Sequence, residues 1–199
     1  MSRYDRNGSG IYALIDRDLL LRYAVDPERI GAFLESREIS IAQYRDKRGS
    51  DVEVSRALER LRRCYSGRLI VNDRLSLADR ADGIHLGQED LAAVDADPVE
   101  AVRKIRARIG DKILGLSTHN AEEIRIANGL DLDYIGLGAY RPTTTKSDAA
   151  VRGAALPEIA RLSRHPVAII GGVRWEDTFE APIRWKVLGS ALFEKVLRA

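Results

Sequence analysis

The segment LIVNDRLSLADRADGIHLGQED (residues 69–90) contains two short apolar runs, Leu69–Val71 and Gly83–Leu86. Each is too short for a helix and suits a strand buried on both faces. The link between them has helical spacing near Leu75–Arg80. Each run passes at its end into polar residues, Asn72-Asp73 after the first and Gly87-Gln88-Glu89-Asp90 after the second. A strand, a helical link and another strand make up the unit of a parallel sheet.

The unit repeats in both directions. Upstream, Ile11–Ile15 and Ile39–Tyr44 read as strands. Asp26-Pro27 opens a helix, with Asp as cap and Pro at the first helical position. Ile30, Phe33 and Leu34 form its apolar stripe, and Val54, Leu58 and Leu61 form that of a helix over Asp51–Tyr65. Downstream, strands are expected at Ile113–Leu116, Tyr134–Leu137, Val167–Ile170 and about Trp185–Leu188. Helices are expected from Asp97-Pro98 to about Ile109, over Asn120–Ala127 and Leu156–Leu162, and from Ser190, with a short segment near Trp175–Phe179. Eight β units with helical or short connections predict a compact single-domain (β/α)8 TIM barrel over 11–199, behind a polar segment over 1–10. A doubly wound open sheet is the competing architecture.

Composition sets the class. The chain has 199 residues, 45% hydrophobic and 31% charged, an ordinary globular balance with ample apolar material for a core. A formal net charge of +2 argues against a nucleic-acid binder. The single Cys64 excludes an intrachain disulfide. No apolar run approaches the ~20 residues that span a bilayer, and the first ten residues lack the apolar core of a signal peptide. A soluble, cytoplasmic protein without membrane or nucleic-acid partners is expected, with homo-oligomerisation left open.

In such a barrel, chemistry belongs at the C-terminal strand ends. Gln43, Arg45 and Lys47 are two apart, so they share a strand face, and two cations with an amide suit a polyphosphate. Asp73 and Asp90 follow neighbouring strands and suit Mg²⁺ shared with phosphate oxygens, with Glu89 in reserve. Ser117 can donate to a phosphate, and His119 can act near neutral pH. The loop Gly138–Ala154 carries Pro142-Thr143-Thr144-Thr145-Lys146, three hydroxyls and a cation that match a phosphate clamp. Gly171-Gly172 and Gly189-Ser190 end the last two strands, where barrels frequently hold a phosphate.

Six of these segments, in order, resemble the thiamine phosphate synthase family: Gln43-Tyr44-Arg45-Asp46-Lys47, Val71-Asn72-Asp73-Arg74, Gly83 to Asp90, Gly115 to Asn120, Thr143-Thr144-Thr145-Lys146 and Ile170-Gly171-Gly172-Val173. The resemblance implies a TIM barrel that joins a pyrimidine diphosphate to a thiazole phosphate through dissociative loss of pyrophosphate, with Mg²⁺. It assigns Gln43, Arg45, Lys47, Asn72, Ser117 and Lys146 to the pyrimidine diphosphate and Asp73 and Asp90 to the metal. Arg45, Lys47, Ser117 and Lys146 are the expected catalytic groups. It places Thr143, Thr145, Gly172, Gly189 and Ser190 around the thiazole phosphate or the pyrophosphate. The chain departs from the family pattern at Ala139-Tyr140-Arg141 and at Pro182 to Lys186. Two rival expectations are a thiazole tautomerase using His119 for proton transfer, and a non-catalytic barrel that binds thiamine phosphates.

Overall fold

A computed structural model describes residues 10–141, 153 and 155–198. Eight parallel strands close into a barrel in chain order: β1 (Ile11–Asp16), β2 (Ile41–Arg45), β3 (Arg68–Asn72), β4 (Gly83–Leu86), β5 (Ile113–Thr118), β6 (Tyr134–Leu137), β7 (Val167–Ile169) and β8 (Ile183–Leu188). Pairing of β1 with β8, at Ile11 with Lys186 and Ala13 with Leu188, shuts the ring and excludes the open sheet. The helices are α1 (Arg17–Tyr23), α2 (Pro27–Ser36), α3 (Asp51–Arg62), α4 (Gln88–Val94), α5 (Pro98–Ile109), α6 (Ala121–Ala127), α7 (Ala155–Ala160) and α8 (Ser190–Val196), with a 3-10 helix at Leu75–Arg80.

Alternation along the strands sorts two apolar layers. Tyr12, Leu14, Ile41, Ile70, Ile113, Tyr134, Trp185 and Val187 pack inside the ring. Ala13, Ile15, Ala42, Leu69, Val71 and Leu114 point outward, against helix residues such as Ile30, Leu34, Leu58 and Leu61. Full burial of each such Leu or Ile is worth about 1.5–3 kcal/mol. The caps form as their residue types predict: Asp26 accepts from Arg29 N, Asp97 from Val99 N and Asn120 from Glu123 N.

Four local expectations change. The β2 ladder starts at Ile41 rather than Ile39, because Ile39 N–H bonds to Leu34 at the end of α2 and Ile39 O accepts from Tyr65. β4 ends at Leu86 as expected, but an unexpected helix, α4, follows: Gly87 caps it, and Gln88, Glu89 and Asp90 form its first turn. A further helix, α1, follows β1 without a loop, capped by Asp16. The short segment at Trp175–Phe179 joins β7 to β8 as expected, without regular secondary structure. Trp175 Nε1 donates to Ala191 O and Phe179 packs edge-on to Tyr140, so aromatic side chains cover this part of the wall. β8 then begins at Ile183, two residues earlier than its apolar pattern suggests, beside a register shift at Val167 and Ala168.

Candidate active site

Ten of the sequence-predicted residues meet around one cleft of about 420 Å³ at the C-terminal end of the barrel. Gln43 and Arg45 come from β2, Lys47 from the loop after it, Asn72 and Asp73 from the end of β3, Asp90 from α4 and Ser117 from β5. Gly172, Gly189 and Ser190 reach it from the opposite wall. Glu89 and His119 also line it. Thr143, Thr145 and Lys146 lie outside the described residues.

The β2 side is cationic and held from behind. Arg45 sits opposite Asp16 in the β1–β2 register, and its guanidinium bonds to the Asp16 carboxylate. Such a partner fixes the direction of a long side chain that would otherwise sample many rotamers. Lys47 Nζ is 3.9 Å from Asp73 Oδ2 and more than half exposed. Its charge faces the cleft beside an acid.

Asp73 is the strained residue of the site. Its φ of 60° lies in the left-handed region that costs a non-glycine residue free energy. Asn72 holds it there, donating its Nδ2 to Asp73 Oδ1 at 2.5 Å and to His85 O at 3.2 Å. Asp73 N–H also bonds to His85 O at 2.8 Å. Burial and then the neighbouring Asp90 charge push the Asp73 carboxyl up to about 6. Two carboxylates this close disfavour double ionisation, and a divalent cation removes that penalty. An all-oxygen pair is the donor set Mg²⁺ takes, with phosphate oxygens and water completing its shell. Among the described residues no group of three or more metal-ligating side chains forms, so the protein would supply only part of the shell.

The opposite wall is backbone. Gly171 has φ 92°, and a Cβ there would lie 2.7 Å from Ala139 Cβ and 2.8 Å from Ala139 Cα. Only glycine fits that turn without displacing the end of β6. Tyr140 N donates to Ile170 O and Arg141 N to Gly171 O, both at 2.9 Å, so the β6 and β7 ends are stitched together. Arg141, whose charge marks a departure from the family pattern, does not line the cleft. Its guanidinium bonds twice to Asp177, at 2.6 and 2.9 Å, and lies 4.4 Å from the centre of the Tyr140 ring. At β8, Gly189 precedes α8 with no side-chain cap, so the first N–H groups of that helix are left for another acceptor.

His119 is engaged rather than poised. Its Nδ1 lies 3.0 Å from Glu123 Oε2, and its backbone N–H donates to the same oxygen at 2.8 Å. Sequence reasoning did not single out Asp16, Tyr12 or Tyr134, and took His85 only as part of a motif. The available signal was parity: Tyr12 shares its strand face with Leu14, and polar groups on an inward face need partners.

Comparison with known proteins bears on the chemistry. A family model described as thiamine monophosphate synthase matches residues 11–194. A thiamine-phosphate synthase of Geobacillus kaustophilus is 40% identical over 148 residues, covering 68% of this chain and 62% of that protein. One from Persephonella marina is 41% identical over 164 residues, covering 78% of this chain and 75% of its own length. The chain thus spans less than two thirds of the length of the Geobacillus relative. Among solved structures, a thiamine phosphate pyrophosphorylase from Pyrococcus furiosus superposes with a TM-score of 0.71. At 22% identity over 94% of this chain and 95% of that one, it supports the barrel fold.

Proposed function

Because the chain belongs to the thiamine monophosphate synthase family, we propose that it condenses a pyrimidine diphosphate with a thiazole phosphate, forming thiamine phosphate and releasing pyrophosphate. The observation that carries this reading is the meeting of Arg45, Lys47, Asp73 and Asp90 on one rim of the cleft, opposite a glycine-rich wall. Proton transfer within a thiazole requires no such paired acids and cations.

Carbon–oxygen cleavage puts negative charge on the leaving pyrophosphate. Arg45, held by Asp16, and Lys47 are already aimed at that charge, so they favour the transition state over the ground state. Asp73 and Asp90 are the proposed holders of Mg²⁺, which when bound neutralises charge on diphosphate oxygens. Gln43, Asn72 and Ser117 orient the pyrimidine diphosphate. Gly172, Gly189 and Ser190 receive phosphate through backbone N–H groups. Thr143, Thr145 and Lys146 complete the diphosphate contacts by family resemblance. The thiazole nitrogen then captures the pyrimidine-methyl cation, and bound geometry replaces a bimolecular encounter. A cytoplasmic setting belongs to the same proposal.

The test is turnover with both substrates and Mg²⁺, following product and pyrophosphate together. One pyrophosphate per thiamine phosphate is expected. Isomerisation of the thiazole phosphate alone, without pyrophosphate release, would overturn the reading in favour of a tautomerase. Tight binding of thiamine phosphate with no turnover would favour a non-catalytic barrel.

A further inference from the structure

Five polar side chains from five strands join end to end across the floor of the cleft. Gln43 Nε2 donates to Tyr12 Oη at 2.9 Å. The Tyr12 and Tyr134 hydroxyls are 2.7 Å apart. Tyr134 Oη lies 2.9 Å from His85 Nδ1, and His85 Nε2 lies 2.9 Å from Ser117 Oγ. The three middle groups are buried: Tyr12 is 2% exposed, Tyr134 0% and His85 8%. The chain has room only because two neighbours lack side chains. A Cβ at Gly115 would lie 2.2 Å from Tyr134 Cζ, and one at Gly136 would lie 3.1 Å from His85 Cε1. Trp185 packs edge-on against both tyrosines, and the His85 ring stacks on Tyr134.

Proton counting gives these links a direction. Each phenol has one proton to donate, and a neutral imidazole has one donor nitrogen and one acceptor. Burial holds the Tyr12 phenol above its ordinary range, so it keeps its proton. Tyr12 accepts from Gln43 and therefore turns its own proton to Tyr134, since a buried hydroxyl proton without an acceptor is costly. Tyr134, accepting from Tyr12, donates to His85 Nδ1. That leaves the His85 proton on Nε2, facing Ser117 Oγ, and the Ser117 proton directed into the cleft.

We propose that Tyr12, Tyr134 and His85 are positioning residues that couple Gln43 to Ser117, so that strands β2 and β5 recognise one heteroaromatic ring as a single unit. Gln43 keeps its carbonyl oxygen for the ring and Ser117 offers its hydroxyl proton. Reversing either end would require reversing every bond between them. The ligand class is a planar ring with a donor on the Gln43 side and an acceptor on the Ser117 side, a pattern an aminopyrimidine supplies. The ligand assignment rests on the proposed function; the internal chain does not.

Two measurements test the inference on the full-length protein. The first is ¹⁵N NMR of the ligand-free protein labelled at histidine. Only His85, His119 and His165 contribute, and the variants His119→Gln and His165→Gln identify the His85 signals. The Nε2–H tautomer is expected, with a shift toward mixed tautomers in Tyr134→Phe. A predominant Nδ1–H tautomer would overturn the polarity. The second is a cycle of Gln43→Ala and Ser117→Ala, read as calorimetric Kd for the pyrimidine diphosphate. In the native background the two losses should be non-additive by about threefold or more, and additive in Tyr134→Phe. Equal coupling in both backgrounds overturns the chain. Absence of any pyrimidine diphosphate binding to the native protein defeats the proposed function instead, and the tautomer still decides the chain.

Discussion

The Asp16 carboxylate serves two elements at once: one oxygen accepts from Asp18 N at 2.9 Å to cap α1, and the other holds the Arg45 guanidinium across the β1–β2 register. A helix cap and an active-site cation thus depend on one buried acid, linking the wall of the barrel to its mouth.

That arrangement separates stability from function in Asp16→Asn. Asparagine caps helices about as well as aspartate, so α1 should persist. Asparagine keeps an oxygen acceptor but not the charge beside a mostly buried Arg45, at a cost of about 1–3 kcal/mol. Thermal unfolding should shift down by roughly 2–12 °C, and KM for the pyrimidine diphosphate should rise severalfold as Arg45 loses its aim. An unchanged KM would show that Asp16 does not orient the cation.

The carboxylate pair sets a pH dependence of the opposite sense to a salt bridge. Asp73 is pushed up to about 6, above its ordinary value. The metal-free native state therefore holds this proton more tightly than the unfolded chain does. Its contribution to stability is complete below the unfolded pKa and is lost as pH rises through about 6. Asp73→Asn should flatten that dependence and stabilise the metal-free protein at pH 8 by an amount on the order of 2 kcal/mol. Urea unfolding in chelator at pH 5 and pH 8 measures it. The same variant should be poorly active.

The second acid is tested through its proposed metal. Asp90→Asn should lower turnover and raise the Mg²⁺ concentration needed for half activity. Unchanged Mg²⁺ dependence in both Asp73→Asn and Asp90→Asn would remove these residues as holders of the ion.

Arg141 provides a control for charge near the site. It is satisfied by Asp177, whose carboxyl is held below its usual range chiefly by the Arg141 hydrogen bond. Asp177→Asn should cost about 1 kcal/mol, seen as a shift of a few degrees in unfolding. The native pair contributes above the ordinary carboxylate pKa and is lost as pH falls through the depressed value. Turnover should change little, since Arg141 does not line the cleft. A loss of a hundredfold would give this latch a direct part in the chemistry.

At the backbone wall, Ser190→Asp places a carboxylate where a phosphate is proposed to sit. Like charges repel there, while an acid in the first turn of α8 favours the helix. Calorimetric titration should show weak thiazole phosphate binding, nearly native pyrimidine diphosphate binding and undiminished stability. Equal losses for both ligands would mean that the cleft is not divided as proposed.

The order of apolar runs, the Asp-Pro caps and the polar residues after each run are local properties, so the barrel and most of its mouth were legible along the chain. Parity in a strand placed Gln43 and Arg45 on one face, and strand ends placed Asp73 and Ser117 at one opening. The missed helices have equally local causes: α1 follows β1 without punctuation, and the start of α4 is a chemically rich turn that reads as a strand end. What no local pattern contains is which inward residues meet. Tyr12 and Tyr134 are separated by 122 positions and their hydroxyls by 2.7 Å. Their meeting depends on barrel closure, on strand stagger and on the space left by Gly115 and Gly136. The same holds for Asp16 and Arg45, and for Arg141 and Asp177: sequence supplies the charges, but a charge seeks the partner that burial and register bring within reach, and that is decided only when the ring is closed.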